Sequence, residues 1–253
     1  MTRILVARLD SMGDVLVSGP AIRAVAATPG AEVAVLCSPQ GAAVARLLPG
    51  VAEVIVWSAP WILDPAPEAT AGHVDALVDL VSAWGPSEAV ILTSFHQSSL
   101  PLALVLRLAG VARITGVSVD YAGSLLDVRI RPGQDLPDDL PEPERQLRIA
   151  AAAGHVLPAL DDGKLAVDPA AIQAAHVPVL AAPYVVVHPG AQVEARTWPA
   201  ERARAAVRLL ADDGWTVAVT GGPTETALTA DVAGDFGVEI GRASCRERVY
   251  GTV

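Results

Sequence analysis

Short runs of aliphatic and β-branched residues alternate along this chain with longer segments of helical spacing, and that alternation narrows the fold more than any other feature. Arg3 to Arg8 reads as a buried strand. Gly13 to Ala27 places Val15, Ile22 and Val25 on one side of a helix, with Pro20 as an irregularity. The pattern repeats as strand Glu32 to Cys37, helix Gln40 to Leu48, strand Glu53 to Trp57 and helix His73 to Trp84. Strand Ala89 to Thr93, helix Ser99 to Ala109 and strand Arg113 to Val117 follow. Strands joined through helices rather than through tight hairpins predict a parallel sheet covered on both faces.

Residues 132–144 hold four prolines and five acidic residues, a solvated loop ahead of a short helix from Glu144 to Ala153. Residues 156–182 are proline-punctuated and weakly periodic, which suits an interdomain connection. The alternation then restarts with strand Tyr184 to His188, helix Ala200 to Asp212, strand Thr216 to Thr220 and helix Thr224 to Asp235. The expected fold class is α/β: one doubly wound, Rossmann-like domain over residues 1–155, and the first part of a second over residues 183–239. A parallel sheet as short as the second leaves poorly covered edges, the mark of an incomplete domain.

Composition removes several classes of function. A chain that is 52% hydrophobic and 18% charged has enough apolar mass to offset its ordering entropy, so disorder is excluded. The longest apolar run, Leu100 to Val111, is cut by Arg107 and is too short to span a bilayer. Arg8 and Asp10 interrupt the N-terminal run too early for a signal peptide, and two cysteines build no disulfide framework, so a cytoplasmic location is expected. A net charge of −10 opposes general nucleic-acid binding. The final stretch is different in kind. Ile240-Gly241-Arg242-Ala243-Ser244-Cys245-Arg246-Glu247-Arg248-Val249 resembles one reading frame of a common sequencing adapter, so residues 240–253 are expected to be a non-native tail on a frame cut near Glu239.

Ligands of open α/β sheets bind beyond the carboxyl ends of the strands, and three segments place unusual residues there. The first is Leu9-Asp10-Ser11-Met12-Gly13-Asp14-Val15. A glycine permits a sharp turn, and Asp14 falls at a helix start, where the dipole favours its anion. An ordinary helix-start carboxylate is the competing explanation. The second is His188-Pro189-Gly190-Ala191-Gln192-Val193-Glu194-Ala195-Arg196-Thr197-Trp198-Pro199. Gly190 permits close backbone approach, free amides at a helix start accept phosphate, and Arg196 offers a planar donor fork; the plainer role for Arg196 is a surface ion pair. The third is Thr220-Gly221-Gly222-Pro223-Thr224-Glu225, a tight turn whose amides suit a nucleotide and whose Glu225 suits sugar hydroxyls, though alone it is weak.

In this order and spacing the segments resemble glycosyltransferase family 9, the heptosyltransferase group with the GT-B fold. The resemblance spans residues 3 to about 239. It rests on Arg3-Ile4-Leu5-Val6-Ala7-Arg8 leading to Ser11-Met12-Gly13-Asp14-Val15, then Pro20-Ala21-Ile22-Arg23, His188-Pro189-Gly190-Ala191, Trp198-Pro199 and Gly221-Gly222-Pro223-Thr224-Glu225. It implies a GT-B pair of Rossmann-like domains, the N-terminal one for the acceptor and the C-terminal one for a nucleotide-sugar donor such as ADP-heptose. It implies that Asp14 is the catalytic base, with Ser11, Met12 and Gly13 in the acceptor loop. Gly190, Ala191, Gln192, Arg196, Gly221, Gly222 and Glu225 are implied on the donor side. Arg196 stands where members usually carry lysine, and Gln192 where many carry serine. A further D-x-x-T-G-x-x-H motif of the family has no counterpart here, so weak or no transfer is expected of these 253 residues.

The implied reaction is an inverting transfer to a hydroxyl of an envelope glycan or glycolipid. No Asp-x-Asp pair occurs in the chain, so neither a diphosphate-escorting metal nor any other cofactor is expected. His96, on the loop after the fourth strand, is a candidate for the acceptor side, although a lone loop histidine is more often solvated. Trp57, Trp61 and Trp84 are candidates for an apolar wall toward a lipid-linked acceptor, with peripheral contact at the inner membrane face, and buried packing is their default role. Cys37 suits the core. Two other classes compete: a nicotinamide-dependent oxidoreductase, which the missing G-x-G-x-x-G fingerprint disfavours, and a non-catalytic sugar- or nucleotide-binding module.

Overall fold

The computed structural model describes residues 2–174, 180, 182–191, 194–222 and 224–241. The chain divides into two compact units, Met1–Asp168 and Pro169–Val253. In the first, β1 (Thr2–Arg8), α1 (Met12–Val17), α2 (Gly19–Ala26), β2 (Ala31–Cys37), α3 (Ala42–Ala45) and β3 (Glu53–Val56) are followed by α4 (Ala71–Trp84), β4 (Glu88–Ile91), α5 (Leu100–Leu108), β5 (Arg113–Val117), β6 (Val128–Ile130) and α6 (Glu142–Ala153). The six strands form one sheet in the order β3-β2-β1-β4-β5-β6, and every neighbouring pair is parallel. This is the doubly wound arrangement that the alternation predicts.

Successive residues of β1 feed opposite sides of the sheet. Ile4 and Val6 join the core beneath α2, α3 and α6, with Ile22, Val25, Val35 and Ile149. Leu5 and Ala7 join the core beneath α4 and α5, with Leu36, Leu77, Val81, Ile91 and Leu106. Burying a Leu- or Ile-sized side chain contributes about 1.5–3 kcal/mol, so a central strand buried on both faces anchors the unit. Cys37 ends β2 fully buried, and burial pushes its thiol up to about 11, against the opposing pull of Arg46. Because β1 pairs with both β2 and β4, the winding direction reverses beside it. The loops after β1 and β4 therefore border the crevice where open α/β sheets hold ligands.

Four local expectations are revised. The helix expected from Gly13 to Ala27 is two helices broken at Ser18, whose hydroxyl donates to the Asp14 carbonyl (2.8 Å) while Pro20 brings no N–H to the first turn of α2. The helix expected over Gln40 to Leu48 holds helical geometry only across Ala42–Ala45. β6 is new. It is three residues long, and the Arg129 guanidinium donates to the carbonyls of Ser118 (3.1 Å) and Val119 (2.7 Å). α6 starts at Glu142 rather than Glu144, because a helix tolerates proline in its first turn and Pro143 occupies that place.

Of the stretch expected as a connection, residues up to Asp168 belong to the first unit. Arg23 on α2 grips Asp161 with two bonds of 2.7 Å and donates to the Lys164 carbonyl at 2.9 Å. The second unit contains α7 (Pro169–Ala174), β7 (Tyr184–Val187), a 3-10 turn (Glu194–Arg196), α8 (Ala200–Asp212), β8 (Thr216–Gly221), α9 (Thr226–Ala233) and β9 (Val238–Gly241). Its sheet runs β7-β8-β9, all parallel, with a small core of Ala203, Val207, Val217, Val219, Val232 and Ala233. β9 and α7 are additions to the expected elements. α9 begins two residues later than expected, since Glu225 folds back as its cap residue. Residues 242–253, most of the expected tail, lie outside the described residues.

Candidate active site

β1 ends on Arg8, whose side chain has no exposed surface. A guanidinium cannot be buried without counter-charge, and three carboxylates supply it. Its Nε lies 2.8 Å from Asp10 Oδ2, and its Nη2 lies 3.1 Å from Asp14 Oδ1 and 3.0 Å from Glu142 Oε1. Nη2 also donates to Ser94 Oγ at 2.8 Å. Ser94 passes its own hydrogen to Asp10 Oδ2 (3.2 Å), and Gln97 Nε2 donates to Asp10 Oδ1. Gln146 Nε2 donates to Glu142 Oε1 (2.6 Å) and to the Thr93 carbonyl (3.2 Å). The loops after β1 and β4 and the first turns of α6 thus converge on one buried cation.

Asp14 is the third residue of α1. Its Oδ2 accepts from the backbone N–H of Ser11 (3.2 Å) and from the Ser11 hydroxyl (2.6 Å), while Oδ1 faces Arg8. The carboxylate side chain keeps 34% of its surface open. It is therefore fixed in direction yet reachable, the two properties a general base needs. Met12 opens α1, half-buried. Gly13 corrects an expectation: its φ is not positive and an added Cβ would come no nearer than 3.8 Å to Ser11 Oγ, so no sharp turn depends on it. His96 is exposed, and its loop reaches the cluster through Ser94 and Gln97.

Deeper along α6, Arg145 is buried, and among the described residues its three guanidinium nitrogens have no hydrogen-bond partner. The Phe95 ring lies over it, 5.6 Å from ring centre to guanidinium carbon. Burial pulls this guanidinium below its ordinary value, with Glu142 and Asp138 pulling the other way. Trp57 and Trp61 pack at 5.4 Å, and the Trp57 indole N–H donates to the His73 carbonyl (3.1 Å), so Trp57 is a packing residue.

In the second unit, β7 and β8 bring the two glycine-bearing loops side by side. His188 Nδ1 lies 3.2 Å from Thr220 Oγ1, and the Gly222 N–H donates to Glu225 Oε2. The Glu225 carboxylate lies against Gly190 so closely that a Cβ there would come within 1.8 Å of Oε1. A Cβ on Gly221 would meet Thr229 Cγ2 at 2.4 Å. Gly190, Gly221, Gly222 and Glu225 thus form one contiguous surface; a side chain at 190 would have to displace the Glu225 carboxylate, and one at 221 would press on the Thr229 methyl. Ala191 is exposed beside it. Arg196 is exposed at the end of the 3-10 turn, and no described carboxylate pairs with it. Gln192 lies outside the described residues. Among the described residues no group of three or more His, Cys, Asp or Glu side chains is arranged to hold a metal ion, and no helix is long and apolar enough to cross a membrane.

A two-unit, all-parallel α/β architecture with a held carboxylate beyond its first strand defines the class. Residues 93–235 match the family model of glycosyltransferase family 9 (heptosyltransferase), and the chain belongs to that family of glycosyltransferases. Among solved structures, E. coli heptosyltransferase WaaC with ADP is similar at a TM-score of 0.66 and 20% identity, over 95% of this chain and 74% of that one. E. coli ADP-heptose lps heptosyltransferase II gives 0.64 and 18%, over 94% and 72%. The glycosyl transferase family 9 structure from Veillonella parvula gives 0.65 and 15%, over 94% and 69%. These similarities show the GT-B fold. No curated protein matches the chain.

Sequence reasoning missed the hub. Arg8 reads as the charged end of a strand, and Asp10, Ser94, Gln97, Glu142 and Gln146 as polar loop or helix residues. The one local signal is a charged residue closing a strand of otherwise buried type.

Proposed function

We propose that this chain is an inverting glycosyltransferase that moves a heptose-like sugar from ADP-heptose to a hydroxyl of an envelope glycan or glycolipid. The observation that carries the reading is Asp14: half-open, aimed by Arg8 and Ser11, and seated where the winding of the sheet reverses. In the reaction, the acceptor O–H breaks and its proton passes to the Asp14 carboxylate. The freed oxygen bonds to the anomeric carbon, and the bond from that carbon to the diphosphate breaks, its electron pair leaving with ADP. An attack from the side opposite the leaving group inverts the configuration. Arg196 and the backbone amides around Gly190 receive the growing negative charge, with no metal in the scheme. One protein of this fold, E. coli heptosyltransferase WaaC, was solved both with ADP and with ADP-2-deoxy-2-fluoro heptose, which supports the donor class.

Because slow transfer is anticipated, the test is a single-turnover assay with the chain in excess over labelled ADP-heptose and an envelope glycolipid extract as acceptor pool. The expected result is label in the glycolipid fraction, stoichiometric ADP and an inverted anomeric linkage, unaffected by EDTA. Nucleotide binding without label transfer would instead favour a binding module.

A further inference from the structure

Arg8 distributes its hydrogen bonds unevenly. Nη2 has two hydrogens, and they are directed at Asp14 Oδ1 and Ser94 Oγ. Glu142 Oε1 lies 3.0 Å from the same nitrogen, inside ion-pair range, without an aligned hydrogen; its hydrogen bond comes from Gln146. Nη1 of Arg8 is buried and, among the described residues, unpartnered. One nitrogen is thus overcommitted and its twin is idle. A guanidinium arranged for a static ion pair would spread its donors over both.

We propose that Glu142 is a positioning residue that takes over Arg8 when Asp14 accepts the acceptor's proton. This rests on the reading of Asp14 as the base. While Asp14 is an anion, it holds one Nη2 hydrogen and Glu142 waits beside it. Once protonated, Asp14 no longer attracts the guanidinium, and a small rotation delivers that hydrogen to Glu142. Asp10 holds the Nε side of the guanidinium throughout, and Nη2 keeps a carboxylate partner both before and after proton transfer, which lowers the cost of losing the Asp14 charge at that nitrogen. Glu142 also sets a second negative charge beside the same guanidinium nitrogen that Asp14 faces. The other charged groups facing this pair are Asp10 from the β1 loop and Arg145 from α6; Ser11, Ser94, Gln97 and Gln146 supply neutral hydrogen bonds.

The test is a double-mutant cycle at positions 14 and 142, read by urea unfolding of the full chain with Trp198 and Trp215 replaced by Phe, so that only first-unit tryptophans report. Asp14→Asn mimics the protonated base. Asp14→Asn and Glu142→Gln should each shift the midpoint slightly, and the double variant should lose clearly more than their sum, because each carboxylate covers for the other. Additive shifts overturn the proposal. A second readout separates positioning from mere support. Glu142→Gln should lower single-turnover transfer about tenfold and move the acid limb of its pH profile to lower pH, while Arg8→Lys retains more transfer than Arg8→Met. An unmoved acid limb contradicts the role. Full transfer by Asp14→Asn would instead overturn the base reading and leave the stability coupling standing.

Discussion

The two candidate loops are built in opposite ways. In the first unit, Asp14 is held by donors from β1 and its own loop, while Arg8 is locked by groups from four segments between two filled cores. In the second, Gly190, Gly221, Gly222 and Glu225 crowd together over a three-stranded sheet, and Tyr184, Val186 and Val238 stay exposed on its strands. A proton acceptor gains from rigid aim, which calls for buried charge partners. A phosphate-binding surface needs bare backbone and an unpaired cation, which calls for glycine and exposure. The difference teaches where each loop is vulnerable: the first through its charges, the second through its sterics and its single exposed arginine.

Asp14 aside, Arg196 gives the largest effect. Arg196→Ala should weaken donor binding by about ten- to a hundredfold, from the loss of a charge-assisted bond of roughly 1.5–3 kcal/mol, and Arg196→Lys should recover much of it. Titration calorimetry with ADP-heptose reads both. Equal binding by wild type and Arg196→Ala would break the division of labour between the loops.

The glycines sharpen the contrast. Gly190→Ala drives a Cβ into the Glu225 carboxylate and should cost about 1–3 kcal/mol of second-unit stability. Gly13→Ala places a methyl at ordinary contact distance from Ser11 Oγ on a helix and should change stability by no more than about 1 kcal/mol, in the stabilising direction. Paired urea unfolding curves decide between them. A tolerated Gly190→Ala would show that the Glu225 contact yields easily.

The smallest effect lies away from both loops. The Arg23 guanidinium and the Gly163 N–H hold the Asp161 carboxyl at about 2, below its ordinary 3.8. A carboxyl depressed in the folded state contributes stability that is complete above about pH 4 and is lost as pH falls through about 2. Urea midpoints of the first unit should therefore fall across that window, and Arg23→Met should flatten the fall without changing its direction. A fall of the same size in Arg23→Met would remove this pair from the acid response.

The fold was legible wherever burial repeats simply. β1, β2, β5 and α8 fall within a residue of where periodicity puts them, because a doubly buried strand or a two-faced helix writes its environment into consecutive residues. β6 and β9 were not. An edge strand of three or four residues has too few side chains to show a period, and its partner lies across the sheet. Asp14 was legible as a carboxylate just past a strand. The Arg8 hub was not, because Ser94, Gln97, Glu142 and Gln146 join it from 86 to 138 positions away, a convergence that the sheet order creates and no spacing records. The glycines could be flagged from sequence, but only packing separates Gly190, whose missing side chain leaves room for the Glu225 carboxylate, from Gly13, where a Cβ meets only an ordinary contact.

The central claim is that Asp14 accepts the proton while the second unit's loops hold the donor. Asp14→Asn, with single-turnover transfer and ADP-heptose affinity measured on the same preparation, tests it most directly. Transfer should fall by about a hundred- to ten-thousandfold with affinity changed less than about twofold. Undiminished transfer, or an affinity that falls in step with the rate, would contradict it.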